Sequence, residues 1–192
     1  MQKIGTVQFL QIQRESLKEG EHPNHVYNPA PLLTVDKIQL TPDGIVGHTA
    51  RGEEIIDVHN VNHHGSKNRG NNNISIGFLQ NYDAMRNRFG DHLTNGIAGE
   101  NIIVDVEVDL ATFTNAEQYF IQHSDEIIEL FEVIPAPPCK PFSTFCLVVP
   151  QCRDDIKAAL QFLSDGVRGY YALLADDAVA FSVQAGDTLY VK

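Results

Sequence analysis

Tryptophan is missing from this chain, cysteine occurs three times, and lysine and arginine together number 14 against 25 acidic residues. The missing tryptophan excludes nothing by itself. The shortage of cations excludes more. With a net charge of −11 and no Lys/Arg-rich run, the sequence lacks the footprint of a nucleic-acid binder, because phosphate binding rests on clustered basic side chains. The same argument disfavours an anionic membrane surface. No apolar run approaches the length of a membrane span, and the opening MQKIGTVQFLQIQ lacks the apolar core of a signal peptide. The cysteines, spaced C-x6-C-x5-C, are too sparse for a disulfide-built domain and lack the close C-x2-C pair of a structural zinc site. A reducing, cytoplasmic setting is the expectation.

What remains is an ordinary globular composition, 43% hydrophobic and 20% charged over 192 residues. That length can bury a core without staples. No linker or internal repeat divides it, so one domain over residues 1–192 is expected. Residues 4–13 read as a strand, and 15–31 as a polar, proline-broken loop. A second strand over 33–40 closes on Thr41-Pro-Asp-Gly44, a turn sequence, and a third is expected over 54–61. Residues 62–73 form a polar loop rich in asparagine. Phe78, Tyr82, Met85 and Phe89 fall at helical spacing before Gly90.

The clearest strand signal is 101–109. There Ile102, Val104, Val106 and Val108 alternate with Ile103, Asp105, Glu107 and Asp109, predicting one dry and one wet face. Residues 119–122 and 127–134 pair as a hairpin across Ser124-Asp125, and 143–149 suits a strand. Ile156, Ala159, Leu160 and Leu163 make the apolar stripe of a helix over 154–164, and three further strands follow at 170–174, 179–183 and 188–191. Strand signals far outnumber helical ones and recur with turn chemistry between them. That pattern indicates a mainly β sandwich or barrel rather than βαβ units.

Four stretches invite a functional reading. In Val133-Ile-Pro-Ala-Pro-Pro-Cys139-Lys-Pro141, four prolines bracket one cysteine, so a stiff loop at a strand end holds a soft sulfur in place. The plain alternative is a turn with a structural thiol. In Gly96-Ile-Ala-Gly-Glu-Asn101, two glycines permit close backbone approach before Glu100 and Asn101; the alternative is an exposed glycine turn. In Gly166-Val-Arg-Gly-Tyr170, flanking glycines let Arg168 project its planar fork at a phosphate or carboxylate; the alternative is a helix cap with a surface ion pair. His63-His64-Gly65-Ser66 resembles a string found in binuclear metallohydrolases, but no H-x-H-x-D-H cluster accompanies it, and a solvated histidine pair explains it more simply. The G-x-S-x-G of serine hydrolases is missing.

Taken in order, these pieces resemble the MOSC domain family, named for the C-terminal domain of molybdenum cofactor sulfurases. The similarity runs over about residues 33–191: the turn Asp43-Gly-Ile-Val-Gly47, the short strand Asn73-Ile-Ser-Ile76 and Gly96 through Asn101 followed by Ile102 to Val104. It continues with Leu130-Phe-Glu-Val133 leading to Pro138-Cys139, the stretch Gly166 to Tyr171 and the closing turn Ala185-Gly-Asp187. The resemblance implies a MOSC-type β-barrel with a few flanking α-helices. It also implies a molybdenum cofactor (a molybdenum–pterin), with Cys139 as metal ligand or sulfur carrier and as the catalytic group. Gly99, Glu100, Asn101, Arg168 and Gly169 would then line the cofactor site, with Arg168 and the amides near Gly99 on its phosphate. The implied activity is redox chemistry of the kind that reduces N-hydroxylated compounds, or sulfur transfer, with a small-molecule substrate and an electron- or sulfur-donor protein as partners. The alternative is a non-catalytic module that binds a cofactor or an anion. Cys146 and Cys152 are expected to be core thiols.

Overall fold

The computed structural model describes residues 1–192 apart from 22, 150 and 151. Residue 22 of the expected 15–31 loop therefore lies outside the described residues. The chain opens with the long strand β1 (Gln2–Gln13), then a two-residue hairpin, β2 (Lys18–Glu19) and β3 (Val26–Tyr27). Next come β4 (Leu32–Val35), β5 (Lys37–Thr41), β6 (Gly44–His48) and β7 (Glu54–Ile56). After the polar loop follow β8 (Ile74–Phe78), α1 (Leu79–Phe89), β9 (Ile102–Val106) and α2 (Leu110–Thr114). The hairpin β10 (Tyr119–His123) and β11 (Glu126–Pro135) leads to α3 (Lys140–Cys146) and α4 (Arg153–Phe162). The chain ends with β12 (Tyr170–Leu173), β13 (Phe181–Gln184) and β14 (Thr188–Val191).

Seven strands close a barrel in the order β1, β9, β8, β12, β11, β10, β14 and back to β1. Every neighbouring pair is antiparallel except β8 and β9, which run parallel. Parallel neighbours need a crossover, and α1 lies within it. β1 serves three partners along its length: β14 at Gln2 to Thr6, β9 at Gly5 to Leu10, and β4 at Leu10 to Gln13. The expected 33–40 strand is two strands. β4 stays on the barrel while β5 joins β13, β6 and β7 in a second sheet.

The barrel interior is filled by Ile4, Leu10, Ile12, Ile74, Ile76, Phe78, Ile121 and Leu189, all fully buried. Ile38, Leu40, Ile45 and Val183 of the second sheet join the same core. A separate cluster forms outside the barrel, where Tyr82 and Met85 of α1, Phe142 and Cys146 of α3, Leu163 and Tyr27 pack together with Ile103. Ile103 is therefore buried, against the wet face expected from alternation. The residues opposite it come from distant helices, which local periodicity cannot register. The expected strand over 143–149 is also corrected: Pro141 sits in the first turn of α3, where its missing N–H is not needed. The 54–61 strand shortens to β7, and Asp109, expected in a strand, caps α2 through Ala111 N–H at 2.9 Å. No helix among the described residues is long and apolar enough to cross a membrane.

Replacing Ile103 by Ala should destabilise the protein by about 2–5 kcal/mol in urea unfolding, as for a full core position. Val179→Ala, at a side chain 83% exposed, should stay within about 0.5 kcal/mol of wild type. Equal midpoints for the two variants would contradict the second core.

Candidate functional site

The candidate residues lie where β12, β8 and β9 run side by side. Glu100 ends the loop before β9, Arg168 sits two residues before β12, and Gly77 of β8 lies between them. A Cβ at Gly77 would come within 3.0 Å of the Glu100 carboxyl carbon. A Cβ at Gly169, where φ is +94°, would come within 2.5 Å of Ile76 O and 3.1 Å of Glu100 Cγ. The two glycines thus make room for an acidic side chain that is only 1% exposed. Arg168 Nη1 donates to Glu100 Oε1 at 3.0 Å, Nη2 donates to the carbonyl of Ala98, and the guanidinium lies 5.3 Å from the Phe142 ring centre. The Tyr82 hydroxyl donates to Glu100 Oε2 at 2.5 Å and accepts the Ala98 N–H at 3.1 Å.

The electrostatics follow from burial. Loss of solvent alone, the largest influence, would make Arg168 easier to deprotonate, but the Glu100 carboxylate together with Tyr171, Tyr27 and Tyr82 outweighs it and holds the guanidinium charged. Burial, reinforced by the neighbouring carboxylate, pushes the Tyr82 phenol well above its ordinary value. Tyr27 is pushed up as well, chiefly by burial and against the opposing charge of Arg168. Its hydroxyl donates to Ile97 O at 2.6 Å.

Asn101 faces a different network. Its Oδ1 accepts from Ser75 Oγ at 2.7 Å, and its Nδ2 donates to Asp57 Oδ2 at 2.9 Å and to Gln11 O at 3.2 Å. Asp57 is fully buried and also accepts the Gln13 and His59 amides at 2.7 and 2.8 Å. The 96–100 loop is clamped from below. Gln11 Nε2 donates to Gly96 O at 2.6 Å and Glu100 O at 2.8 Å, and Gln13 Nε2 donates to Gly99 O at 2.7 Å. The Gly99 amide donates to Gly96 O at 2.8 Å. Glu100 and Asn101 thus point into separate interior networks, and the loop's polar groups are turned inward. Tyr27, Tyr82, Asp57, Gln11 and Gln13 take part without having been singled out from sequence. The alternating glutamines in an otherwise apolar strand were the available signal.

Cys139 is half-buried and stands immediately before α3. Its carbonyl accepts both the amide and the hydroxyl of Ser143, each at 3.0 Å. The strand pairing reaches it from behind: Pro135 stands opposite Tyr170, and the Ala136 amide donates to Gly169 O at 2.8 Å. The cysteine loop and the Arg168–Gly169 segment are therefore one unit. Cys146 is buried, and burial pushes its thiol up to about 12, with Arg168 opposing. Cys152 is exposed, correcting its placement in the core; it stands at the N-cap of α4, where its amide donates to the Asp155 carboxylate at 2.8 Å. All three thiols are free. One helix length separates Cys139 from Cys146, about 10 Å at 1.5 Å per residue, whereas disulfide-linked Cα atoms lie within about 7 Å. The two cannot form a redox pair in this conformation.

Beside the cysteine loop, a groove of about 430 Å³ is lined by His25, Val26, Tyr27, His92, Pro141, Thr144, Phe145 and Val148. Tyr27 meets Phe142 edge-on at 5.0 Å and Phe145 at 5.2 Å between ring centres.

The histidine string fares differently. Glu15, His63 and His64 place one ligand atom each within 4.8 Å of one another. His63 Nδ1 accepts the Gly65 amide at 3.0 Å, so its Nε2 carries the proton that it donates to Arg14 O at 3.0 Å. No lone pair remains on that ring for a metal, which leaves two donors and speaks against the metallohydrolase reading.

A soft metal or a sulfur atom fits the free thiol of Cys139. The Arg168 fork is already bonded to Glu100 and Ala98 and its side chain is 12% exposed, which leaves little of it open to a phosphate. No protein-family model matches the chain, and no curated protein does. Among solved structures, the YUAD protein from Bacillus subtilis is similar, 17% identical with a TM-score of 0.59 over 96% of this chain and 93% of that one. A hypothetical protein is 14% identical with a TM-score of 0.51, over 97% of this chain and 69% of its own. Both likenesses concern the fold.

Glu100→Gln should destabilise the protein by about 3–5 kcal/mol, since it strands a buried guanidinium. Glu100→Gln combined with Arg168→Met should cost less than the two single changes added together; strict additivity would refute the coupling. Above pH 10 the unfolded tyrosines release protons that folded Tyr82 and Tyr27 retain. Stability should therefore fall as pH rises past 10, by about 1.4 kcal/mol per pH unit for each. In Tyr82→Phe one such contribution should vanish from the alkaline unfolding curve.

Proposed function

We propose that this chain is a MOSC-type barrel whose working group is the Cys139 thiol, acting as a soft ligand for a molybdenum cofactor or as a carrier of its sulfur. The observation that carries this reading is the placement of Cys139: a free, half-buried thiol locked at a strand-to-helix junction. Its neighbours in sequence are unsuited to the task. Cys146 is enclosed and held as the thiol, and Cys152 caps a helix. When bound, the cofactor would supply a metal that changes oxidation state.

The chain's own residues give the thiol a fixed position. Ser143 and the Ala136–Gly169 hydrogen bond hold the loop on both sides of it. Arg168 and Glu100 serve as its frame, since Phe142 of the adjacent helix rests on the guanidinium. The anionic end of a pterin would need cations other than Arg168 in its present pairing. That occupied fork also favours a second reading, a module that carries the cofactor or sulfur without turning over a substrate. In either reading a cytoplasmic setting and a donor protein are part of the proposal.

Protein purified from a host that makes the cofactor should contain molybdenum by elemental analysis and release oxidised pterin on denaturation. Cys139→Ala should lose at least tenfold of both, while Cys152→Ser retains them. A wild-type protein free of metal and pterin overturns the reading.

A further inference from the structure

We infer that the groove beside Cys139 binds a small, flat, uncharged aromatic molecule of one or two rings. Naming that molecule as the substrate of the thiol rests on the function proposed above; the groove itself does not.

Charge is the first argument. In a chain with 20% charged residues, none of the eight groove residues is Asp, Glu, Lys or Arg. Ammonium groups would enter without a counter-charge, and phosphates and carboxylates would find no Lys or Arg, so each loses water at high cost. Shape is the second. A volume of about 430 Å³ falls within the range of small-molecule sites, which are mostly apolar with a few directional polar groups. Here those groups are the Thr144 hydroxyl and the imidazoles of His25 and His92, while the Tyr27 hydroxyl is turned away onto Ile97 O.

The wall itself favours a ring over an alkyl chain. Phe145 is met by Tyr27 at 5.2 Å and 50°, by His92 at 5.8 Å and 63°, and by Phe142 at 6.2 Å and 21°. An added ring extends a cluster already built on tilted, edge-on and stacked contacts, within the arrangements that aromatic quadrupoles favour. The lips are Val26 and Val148, 65% and 67% exposed. Val148 is also held at φ +59°, a conformation that β-branched residues avoid and that persists at ligand clamps. A ring lying between the lips covers that apolar surface. Pro141, two residues after Cys139, forms part of the same wall, so the groove opens at the start of the helix that Cys139 precedes.

The test uses three probes of similar size and different charge: indole, benzoate and benzylamine. Titrated into isotopically labelled protein, indole should give saturable amide shifts centred on Tyr27, Thr144, Phe145 and Val148. Benzoate and benzylamine should bind at least tenfold more weakly. Val148→Asp, which suits a left-handed backbone, should weaken indole at least tenfold with the thermal midpoint unchanged. As an independent readout, N-phenyl iodoacetamide should alkylate Cys139 at least tenfold faster than iodoacetate, and saturating indole should slow it. Equal binding of the three probes, indole shifts elsewhere, no saturation, or equal alkylation rates each overturn the inference. So do groove shifts that follow protein concentration alone, which would mean that a second copy covers the surface. A protein that holds molybdenum through Cys139 but ignores indole refutes the groove alone. One that binds indole and holds no molybdenum refutes the cofactor reading alone.

Discussion

The ion pair between Glu100 and Arg168 fixes the geometry on which the candidate site depends. It spans β8 over Gly77 and joins the chain entering β9 to the chain entering β12. Burying two charges is costly, and a pair of this kind is tolerated when its remaining hydrogen-bonding capacity is met. Tyr82 and the Ala98 carbonyl meet it here. Each partner brings an element with it: Tyr82 brings α1, Ala98 the loop clamped by Gln11 and Gln13, and the guanidinium the Phe142 face of α3. Cys139 opens that last helix. The thiol's position is therefore set by a charge pair that it does not touch.

This arrangement changes what the glycine-rich loop and the arginine can be said to do. Read as chemistry in isolation, they suggest a cradle for an outside anion. Folded, the anion is internal and the loop amides and carbonyls hold one another. What is left facing outward is sparse: one half-buried sulfur and an uncharged aromatic groove. Such a surface suits a soft ligand and a neutral ring better than a phosphate.

Much of the barrel was legible in the sequence because its strands alternate and its turns carry proline and glycine. The hairpin at Ser124-Asp125 and the turn at 41–44 are of this kind. Residues whose environment comes from far along the chain were not legible. Ile103 alternates as a wet residue but lies under α1. The valines at 148 and 149 suggested a strand, while Pro141 had already started a helix. Cys139, Glu100, Asn101 and Arg168 stand out in the sequence by their glycine and proline settings, yet nothing local discloses that Arg168 and Glu100 choose each other, or that Asn101 turns to Asp57. Tyr27 and Tyr82 carry no motif at all; they matter because of the charges folded beside them.

One feature of the architecture bears on how the chain reaches this state. The barrel closes where β1 meets β14, so residues 2–6 wait for residues 188–191 across almost the whole described sequence. Until then β1 carries an unsatisfied edge of amides and carbonyls, the kind of template on which other chains add strands. Closure at such separation carries a large loop-entropy cost and makes for slow folding. The seam that completes the cylinder thus joins the two most distant stretches of the chain, and an incomplete molecule is open there to association with its own kind.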